Sequence, residues 1–389
     1  MKIVINILIL SILLFDLLQG QPCNYAINNE IPPESEPIIY GKGIISKDSL
    51  ILYGISFTPD GQELIYSVKS EGVYYMNNKN GKWTNPELME FSKHSLTHIM
   101  YPMFSPDGNT ISYVDGNSKQ YGWGDIFMIK RQVDGKWSQS IKLPEPINST
   151  HRDAGHCFTL DGKLYLTSGR VDCAGNCDIF RACPQQNGEI KIDFLSDISQ
   201  FGIITDEENL YVSPKEEFLI TDSWHQHSSH KRDLYITYRL DNDKWSPIKP
   251  LNSKINTDSF ETEPFVTSDG KHLFFIRWMN EKRNVYWVST KEVFVPYQRL
   301  QIPDFYTKAN ADMLISFSKN IFADYNGKIV DYEVFLRNTN SLLNWINFDK
   351  EKMELTGKPS KTETLDLVLR AIDNDKNAGE IEFKIIIEK

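Results

Sequence analysis

One pattern recurs five times between residues 57 and 270, and it restricts the chain to a repeat architecture. The segments are Phe57-Thr58-Pro59-Asp60-Gly61, Phe104-Ser105-Pro106-Asp107-Gly108, Phe158-Thr159-Leu160-Asp161-Gly162, Tyr211-Val212-Ser213-Pro214-Lys215 and Phe265-Val266-Thr267-Ser268-Asp269-Gly270. Each sets an aromatic residue before a turn built on Pro or Asp-Gly. The aromatic positions 57, 104, 158, 211 and 265 are 47, 54, 53 and 54 residues apart. A fixed period of this size marks stacked or radially arranged units.

Two further series keep the same phase. Val73-Tyr74, Ile126-Phe127, Ile179-Phe180, Leu234-Tyr235 and Val285-Tyr286 pair an aliphatic with an aromatic residue, and Asp125, Asp178 and Asp233 directly precede three of them. Lys82-Trp83, Lys136-Trp137 and Lys244-Trp245 form the third, with Lys191-Ile192 at the remaining place. Between these marks lie short β-branched and aromatic runs such as Leu164 to Ser168 and Leu273 to Arg277, joined by hairpin turns. Each period thus holds about four antiparallel strands, the content of a propeller blade. A parallel α/β fold needs amphipathic helices between its strands, and the sequence has no such pattern. The expectation is an all-β chain: a five-bladed β-propeller over residues 36–295, then a β-sandwich over 300–389.

The fifth unit lacks its Lys-Trp strand. Ahead of the first unit, Pro37 to Ser46 resembles the fourth strands Ile141 to Ser149 and Ile248 to Asn256, so the N-terminal strand is expected to complete the last blade and close the ring.

The five segments resemble the WD40-like repeats with a Pro-Asp motif (PD40) of bacterial envelope proteins of the TolB type, over about residues 36–290. The fourth repeat departs from the pattern, with Pro214-Lys215-Glu216 in place of Pro-Asp-Gly. The resemblance implies a propeller and an export-side location, and no common reaction.

Beyond Val295-Pro296 the period stops. Alternating runs at Leu314 to Phe317, Val330 to Leu336, Leu365 to Ala371 and Ile381 to Ile387 suggest a sandwich of about seven strands. Ile302-Pro303-Asp304, Ile321-Phe322-Ala323-Asp324, Trp345 to Asp349, Leu355 to Pro359 and Ala371-Ile372-Asp373 resemble the dystroglycan-type cadherin-like domain. Some such domains hold Ca²⁺ on clustered carboxylates. Asp324 and Asp373 stand at the matching positions, but Asn326 and Lys328 replace expected acids. The preferred reading is an Ig-like spacer with solvated acids and no cofactor.

Met1-Lys2 and the apolar run Ile3 to Phe15, interrupted by Asp16, have the layout of a secretory signal over residues 1–20, with 21–35 a short N-terminal segment. No later segment is apolar enough to span a bilayer. The expectation is an exported protein, periplasmic, at the cell surface or secreted. A formal net charge of −10 argues against nucleic acid as a partner. Of five cysteines, Cys173 and Cys177 flank Ala-Gly-Asn and can close a tight disulfide loop; a metal site using Cys173, Cys177 and Cys183 is the alternative, which an oxidising compartment disfavours, and Cys157 sits inside an apolar strand.

In a propeller, the loops entering the first strands and those joining second to third strands share one face. Here they are Thr97 to Tyr101, His151 to His156, Thr205 to Asn209 and Asp258 to Glu263, with Asp115 to Gly124, Arg170 to Asn176, Trp224 to Lys231 and Trp278 to Arg283. This face is expected to bind a protein or carbohydrate partner through His156, Arg170, Trp224, His225, His227, His230, Glu261, Glu263 and Arg277. His225, His227 and His230 have metal-binding chemistry, but their spacing fits no defined enzyme motif and ordinary exposed histidines are preferred. Arg170 and Arg277 can instead pair with the acids. The alternative is a glycoside hydrolase using the channel carboxylates Glu208, Glu263 and Asp153. No recognisable catalytic signature is present, so a binding role is preferred.

Overall fold

The computed structural model describes residues 25–27, 30–93, 99–116, 124–170, 177–195, 198, 206–224, 231–240 and 243–389. The expected signal segment 1–20, Cys173, and His225, His227 and His230 lie outside these residues.

The three sequence series become one hydrogen-bonding plan repeated five times. Sheet one holds Leu52–Phe57, Glu63–Val68 and Gly72–Lys79, with Lys82–Trp83 and Glu87–Leu88 both on the last of these. Sheet two is Ile99–Phe104, Thr110–Asp115, Asp125–Lys130 and Ile141–Lys142; sheet three is Asp153–Phe158, Leu164–Ser168, Asp178–Pro184 and Ile190–Phe194. Sheet four is Glu207–Val212, Phe218–Trp224, Arg232–Tyr238 and Lys249–Pro250. Sheet five takes three consecutive strands, Phe260–Val266, His272–Met279 and Lys282–Ser289, and its fourth from the other end of the chain. Ile38–Ile39 pairs antiparallel with Lys282–Ser289, Ile38 opposite Trp287 and Ile39 opposite Tyr286. The first strand of each sheet lies against that of the next, and that of sheet five against that of sheet one.

The repeated turn has a local cause. In Thr58-x-Asp60, Ser105-x-Asp107, Thr159-x-Asp161 and Thr267-x-Asp269 the hydroxyl donates to the carboxylate two residues on. The Asp60, Asp107 and Asp269 carboxylates accept the backbone N–H of Gln62, Asn109 and Lys271. That closes an Asx turn before the second strand. Glu216 adopts a left-handed φ of 59° where the four other repeats have Gly at 61, 108, 162 and 270 with φ of 63°, 71°, 83° and 69°. Its side chain accounts for the departure, because it accepts from Tyr165 Oη and pairs with Lys163 Nζ, both at 2.5 Å, tying sheet four to sheet three.

The aliphatic–aromatic series marks the third strand, and each is fastened in the same way. The backbone N–H of Tyr40, Met89, Leu143, Leu195 and Leu251 donates to the carbonyl of Val285, Val73, Ile126, Ile179 and Leu234, respectively. A small polar side chain then accepts the N–H of that third-strand residue: Ser46 for Val285, Ser92 for Val73, Asn148 for Ile126 and Asn256 for Leu234. The N-terminal stretch therefore meets sheet five with the same bonds that the other fourth strands make in their own sheets. Trp137 and Trp245 of the Lys-Trp series lie under Arg131 and Arg239, 4.4 and 5.0 Å from ring centroid to guanidinium carbon.

Residues 305–388 form two sheets around a shared core. One is ordered Phe305–Lys308, Ala378–Glu388, Glu363–Asp373, Ile329–Leu336, its first pair parallel; the other is Met313–Ser316, Glu354–Gly357, Ile346–Asp349. Alternate residues Leu365, Leu367 and Leu369 and Ile381, Phe383 and Ile385 turn inward against Met313, Ile315 and Leu355, the period-two pattern of a half-buried strand. This unit abuts sheets four and five. Tyr325 wedges between Phe218 and Phe294, with ring centroids 4.5 and 4.7 Å away, and Tyr238 stacks on Tyr297 at 4.1 Å. At Gly379 a Cβ would fall 1.8 Å from the Pro296 carbonyl oxygen, so only glycine fits there.

Tyr40 is fully buried, and its hydroxyl donates to the Tyr25 carbonyl at 2.6 Å. Its ring packs against Phe274 and Trp287 at 5.0 and 5.2 Å. Tyr40→Ala is expected to cost about 3–5 kcal/mol in denaturant unfolding. A loss below about 0.5 kcal/mol, within the range of an ordinary surface substitution, would show that the N-terminal stretch is not part of the core.

Candidate functional site

The five first strands share an irregularity that aims side chains at one place. Their pairing slips between Tyr53 and Ile55, Met100 and Met103, Asp153 and His156, Glu207 and Leu210, and Thr262 and Phe265. A bulge re-aims the residue it carries. Gly54, Tyr101 and Glu263 take left-handed φ values of 74°, 56° and 57° at these points. A Cβ on Gly155 would lie 2.4 Å from the Glu208 carbonyl oxygen, which measures how closely the first strands of sheets three and four approach.

Around the bulges, ion pairs from sheets three, four and five are joined by tyrosines of sheets one and two. Arg152 pairs with Glu208 Oε1, which also accepts from Tyr101 Oη at 3.4 Å. Arg232 reaches Asp206 at 2.8 Å, Asp222 at 3.0 Å and Glu208 Oε2 at 3.3 Å. Arg283 pairs with Glu263 Oε1 and stacks over Tyr53 at 4.3 Å. Asp222 is the hub. Its Oδ1 accepts from the N–H of Glu208 and Asn209 at 3.2 and 3.3 Å, and its Oδ2 from Asn209 Nδ2 at 2.8 Å and the N–H of Glu263 at 3.2 Å.

The two central carboxyls are driven apart. Burial raises Glu263 and the Asp222 charge adds to this, while Arg283 opposes without offsetting it, so Glu263 is pushed up to about 8. Burial also works to raise Glu208, but Arg152 and Arg232 outweigh it and hold Glu208 below the usual carboxylate range. Beneath them, Tyr101, Pro102, Gly155, His156, Asn209 and Glu263 help to line a cavity of about 20 Å³, room for one water-sized molecule. His156 Nε2, Asn209 Oδ1 and Glu263 Oε2 lack hydrogen-bond partners among the described residues. Burial lowers His156 to about 4, so its ring is neutral.

The residues expected from sequence separate into groups. His156 and Glu263 meet at this cavity. Glu261 does not: it is fully buried, accepts from the Thr257 N–H and hydroxyl at 3.1 and 2.7 Å, and pairs with Arg277 Nε at 2.8 Å. Arg277 also donates to the carbonyls of Lys254 and Ile255. Arg170 makes the same clamp in sheet three, on Asp153 and the carbonyls of Pro146 and Ile147. Trp224 ends the second strand of sheet four, opposite Arg232.

Sequence reasoning did not single out Tyr53, Tyr101, Arg152, Asp222, Arg232 or Arg283. Asp222 carried a signal, an acid inside the apolar run Phe218 to Trp224. Cys157, Cys177 and Cys183 are free thiols, and the Cys173 half of the expected disulfide is outside the described residues.

Among the described residues no three His, Cys, Asp or Glu side chains are grouped to hold a metal ion. At the calcium candidates, burial and the neighbouring Asp373 raise Asp324 to about 6. Asp373 is occupied by the N–H groups of Asp375 and Asn377, and the Asn326 amide donates to the Thr290 carbonyl. No helix among the described residues is long and apolar enough to cross a membrane.

Successive antiparallel sheets of four or five strands, each with its first strand against the next, make this an all-β, propeller-like protein. No family model and no curated protein matches the chain. Among solved structures it is similar to the periplasmic gluconolactonase of Pseudomonas aeruginosa, at 11% identity and a TM-score of 0.35 over 86% of this chain and 85% of that one. It is also similar to the β-propeller domain of Myceliophteria thermophila Cps50 (Swd1), at 9% identity and a TM-score of 0.34 over 60% and 70% of the two chains. A third similarity is to the RRP9 WD40 repeats, at 9% identity and a TM-score of 0.36 over 66% and 98%.

The raised Glu263 sets a pH dependence. A carboxyl whose folded pKa exceeds its unfolded one keeps its proton in the folded state after the unfolded chain has lost it, so stability falls as pH rises through that window. For Glu263 the window runs from the ordinary glutamate value of 4.5 to about 8. The melting temperature of wild type relative to Glu263→Gln is therefore expected to drop across this range and level off above it. A difference independent of pH would mean that Glu263 is ionised throughout.

Proposed function

We propose that the five sheets are the blades of a closed five-bladed β-propeller, completed by Ile38–Ile39, and that its mouth is the binding site of an exported, non-catalytic scaffold. The partner is a protein or a glycan, and the cadherin-like C-terminal domain acts as spacer or adhesion module. One observation carries the reading: bulged first strands and the third strands of sheets four and five bring Tyr53, Tyr101, Arg152, Glu208, Arg232 and Arg283 into one linked, largely buried cluster. Rigid strands hold such a cluster better than loops do.

Immobilised full-length protein should retain members of a combined glycan and peptide array. Tyr101→Phe, which removes only the hydroxyl on Glu208, should weaken that retention several-fold. Array binding unchanged in both Tyr101→Phe and Arg152→Ala, with melting temperatures preserved, would move the site away from the mouth.

The split between Glu263 and Glu208 favours a second reading, a glycoside hydrolase with Glu263 as acid and Glu208 as nucleophile or base. Glu263 lies beneath Arg283 with only 3% of its side chain exposed, which is why binding is preferred. Turnover of an array glycan that disappears in Glu263→Gln would replace the scaffold reading with the hydrolase.

A further inference from the structure

The mouth carries a duplicated feature that narrows the class of ligand. Trp224 ends the second strand of sheet four and faces Arg232 across the third strand. Trp278, 54 residues later by number, is in the second strand of sheet five and faces Arg283 in the same way. The same cross-strand tryptophan–arginine pair thus recurs at the same end of neighbouring sheets. Both arginines belong to the central ion-pair network.

Trp278 is 43% exposed, high for a large aromatic side chain. It is nonetheless held in place. Phe260 lies 5.3 Å from it, ring to ring, and the Arg283 guanidinium 5.7 Å away; the run continues from Arg283 to Tyr53 at 4.3 Å and from Tyr53 to Tyr101 at 6.2 Å. The result is a fixed aromatic platform beside fixed hydrogen-bonding groups.

Charge decides what can lie on it. Arg152 is matched by Glu208, Arg232 by Asp206 and Asp222, and Arg283 by Glu263. Each guanidinium is already held by a carboxyl group, so an ionic ligand of either sign has to break an internal pair to gain one of its own. A hydroxyl both donates and accepts, and can use either edge. The cavity below, about 20 Å³, is too small to admit a sugar ring, so a ligand must lie across the opening.

Resting on the reading of the mouth as a binding site, we propose that it takes an uncharged oligosaccharide, its ring faces on Trp278 and Trp224 and its hydroxyls on the arginine–carboxylate pairs. Tryptophan supplies the apolar surface for the C–H face of a sugar, and the charged pairs supply orientation.

Titration of the full-length protein, followed by tryptophan fluorescence and calorimetry, tests this. The neutral probes are cello-, xylo-, manno- and maltohexaose; the charged ones are hexagalacturonate and a glucosamine hexamer; a mixed octapeptide library completes the set. At least one neutral hexaose is expected to bind with an affinity that barely changes from low to high salt. Trp278→Ala should weaken it about tenfold, a loss of about 1.4 kcal/mol, and Trp278→Phe should retain most of it. Binding confined to charged hexamers or peptides, or neutral binding unaffected by Trp278→Ala, overturns the oligosaccharide assignment. If that binding is still weakened by Tyr101→Phe, the mouth itself stands. Failure of every probe to bind overturns both.

Discussion

The closest approach of neighbouring first strands is the constraint from which the site follows. Where Gly155 meets the Glu208 carbonyl there is no space even for a methyl group, and a Cβ on Gly54 would stand 3.4 Å from the Tyr101 Cα. Strands brought this close cannot all keep a regular pleat, and each inserts extra residues at the point of crowding. The displaced side chains have only the mouth to enter. A polar cluster at this position is thus a product of the packing.

The cluster is dense in charge and low in exposure. Asp222 is wholly buried yet collects five donors, which is how a buried carboxylate is tolerated. Buried ion pairs add little net stability over well-packed apolar residues. Their effect here is geometric: one carboxylate fixes the backbone of the bulges in sheets four and five relative to each other, and fixes Arg232 beside Glu208. Neighbouring sheets are thereby held in register at the mouth.

Periodicity made the strands legible, because an aromatic residue before an Asx turn and an aliphatic–aromatic pair on the third strand each correspond to a hydrogen bond that recurs in nearly every sheet. The fit of Pro37 to Ser46 to the fourth-strand pattern was readable for the same reason: Tyr40 and Ser46 bond to Val285 as Leu143 and Asn148 bond to Ile126. Pairings within the mouth were not readable. Alternation places Glu261 and Glu263 on the same side of a strand, but the left-handed turn at Glu263 separates them, sending one to Arg277 within its sheet and the other to Arg283 and the cavity. Contacts such as Asp222 with Glu263, or Tyr101 with Glu208, join residues far apart in the chain, and no local pattern encodes them.

Both ends of the folded chain are fastened to the same place. Ile38 and Ile39 zip onto Lys282–Ser289, Ser289 donates to the Pro33 carbonyl, and the following residues Lys291 to Pro296 bear the contacts of the C-terminal unit, including the Asn377 amide on Lys291. Tension applied between the N-terminal segment and the C-terminal unit therefore falls first on the Ile38–Ile39 pairing, whose two strands are pulled from the same end, while Tyr40 in the core and the Tyr325 and Tyr297 contacts with sheet four share the load.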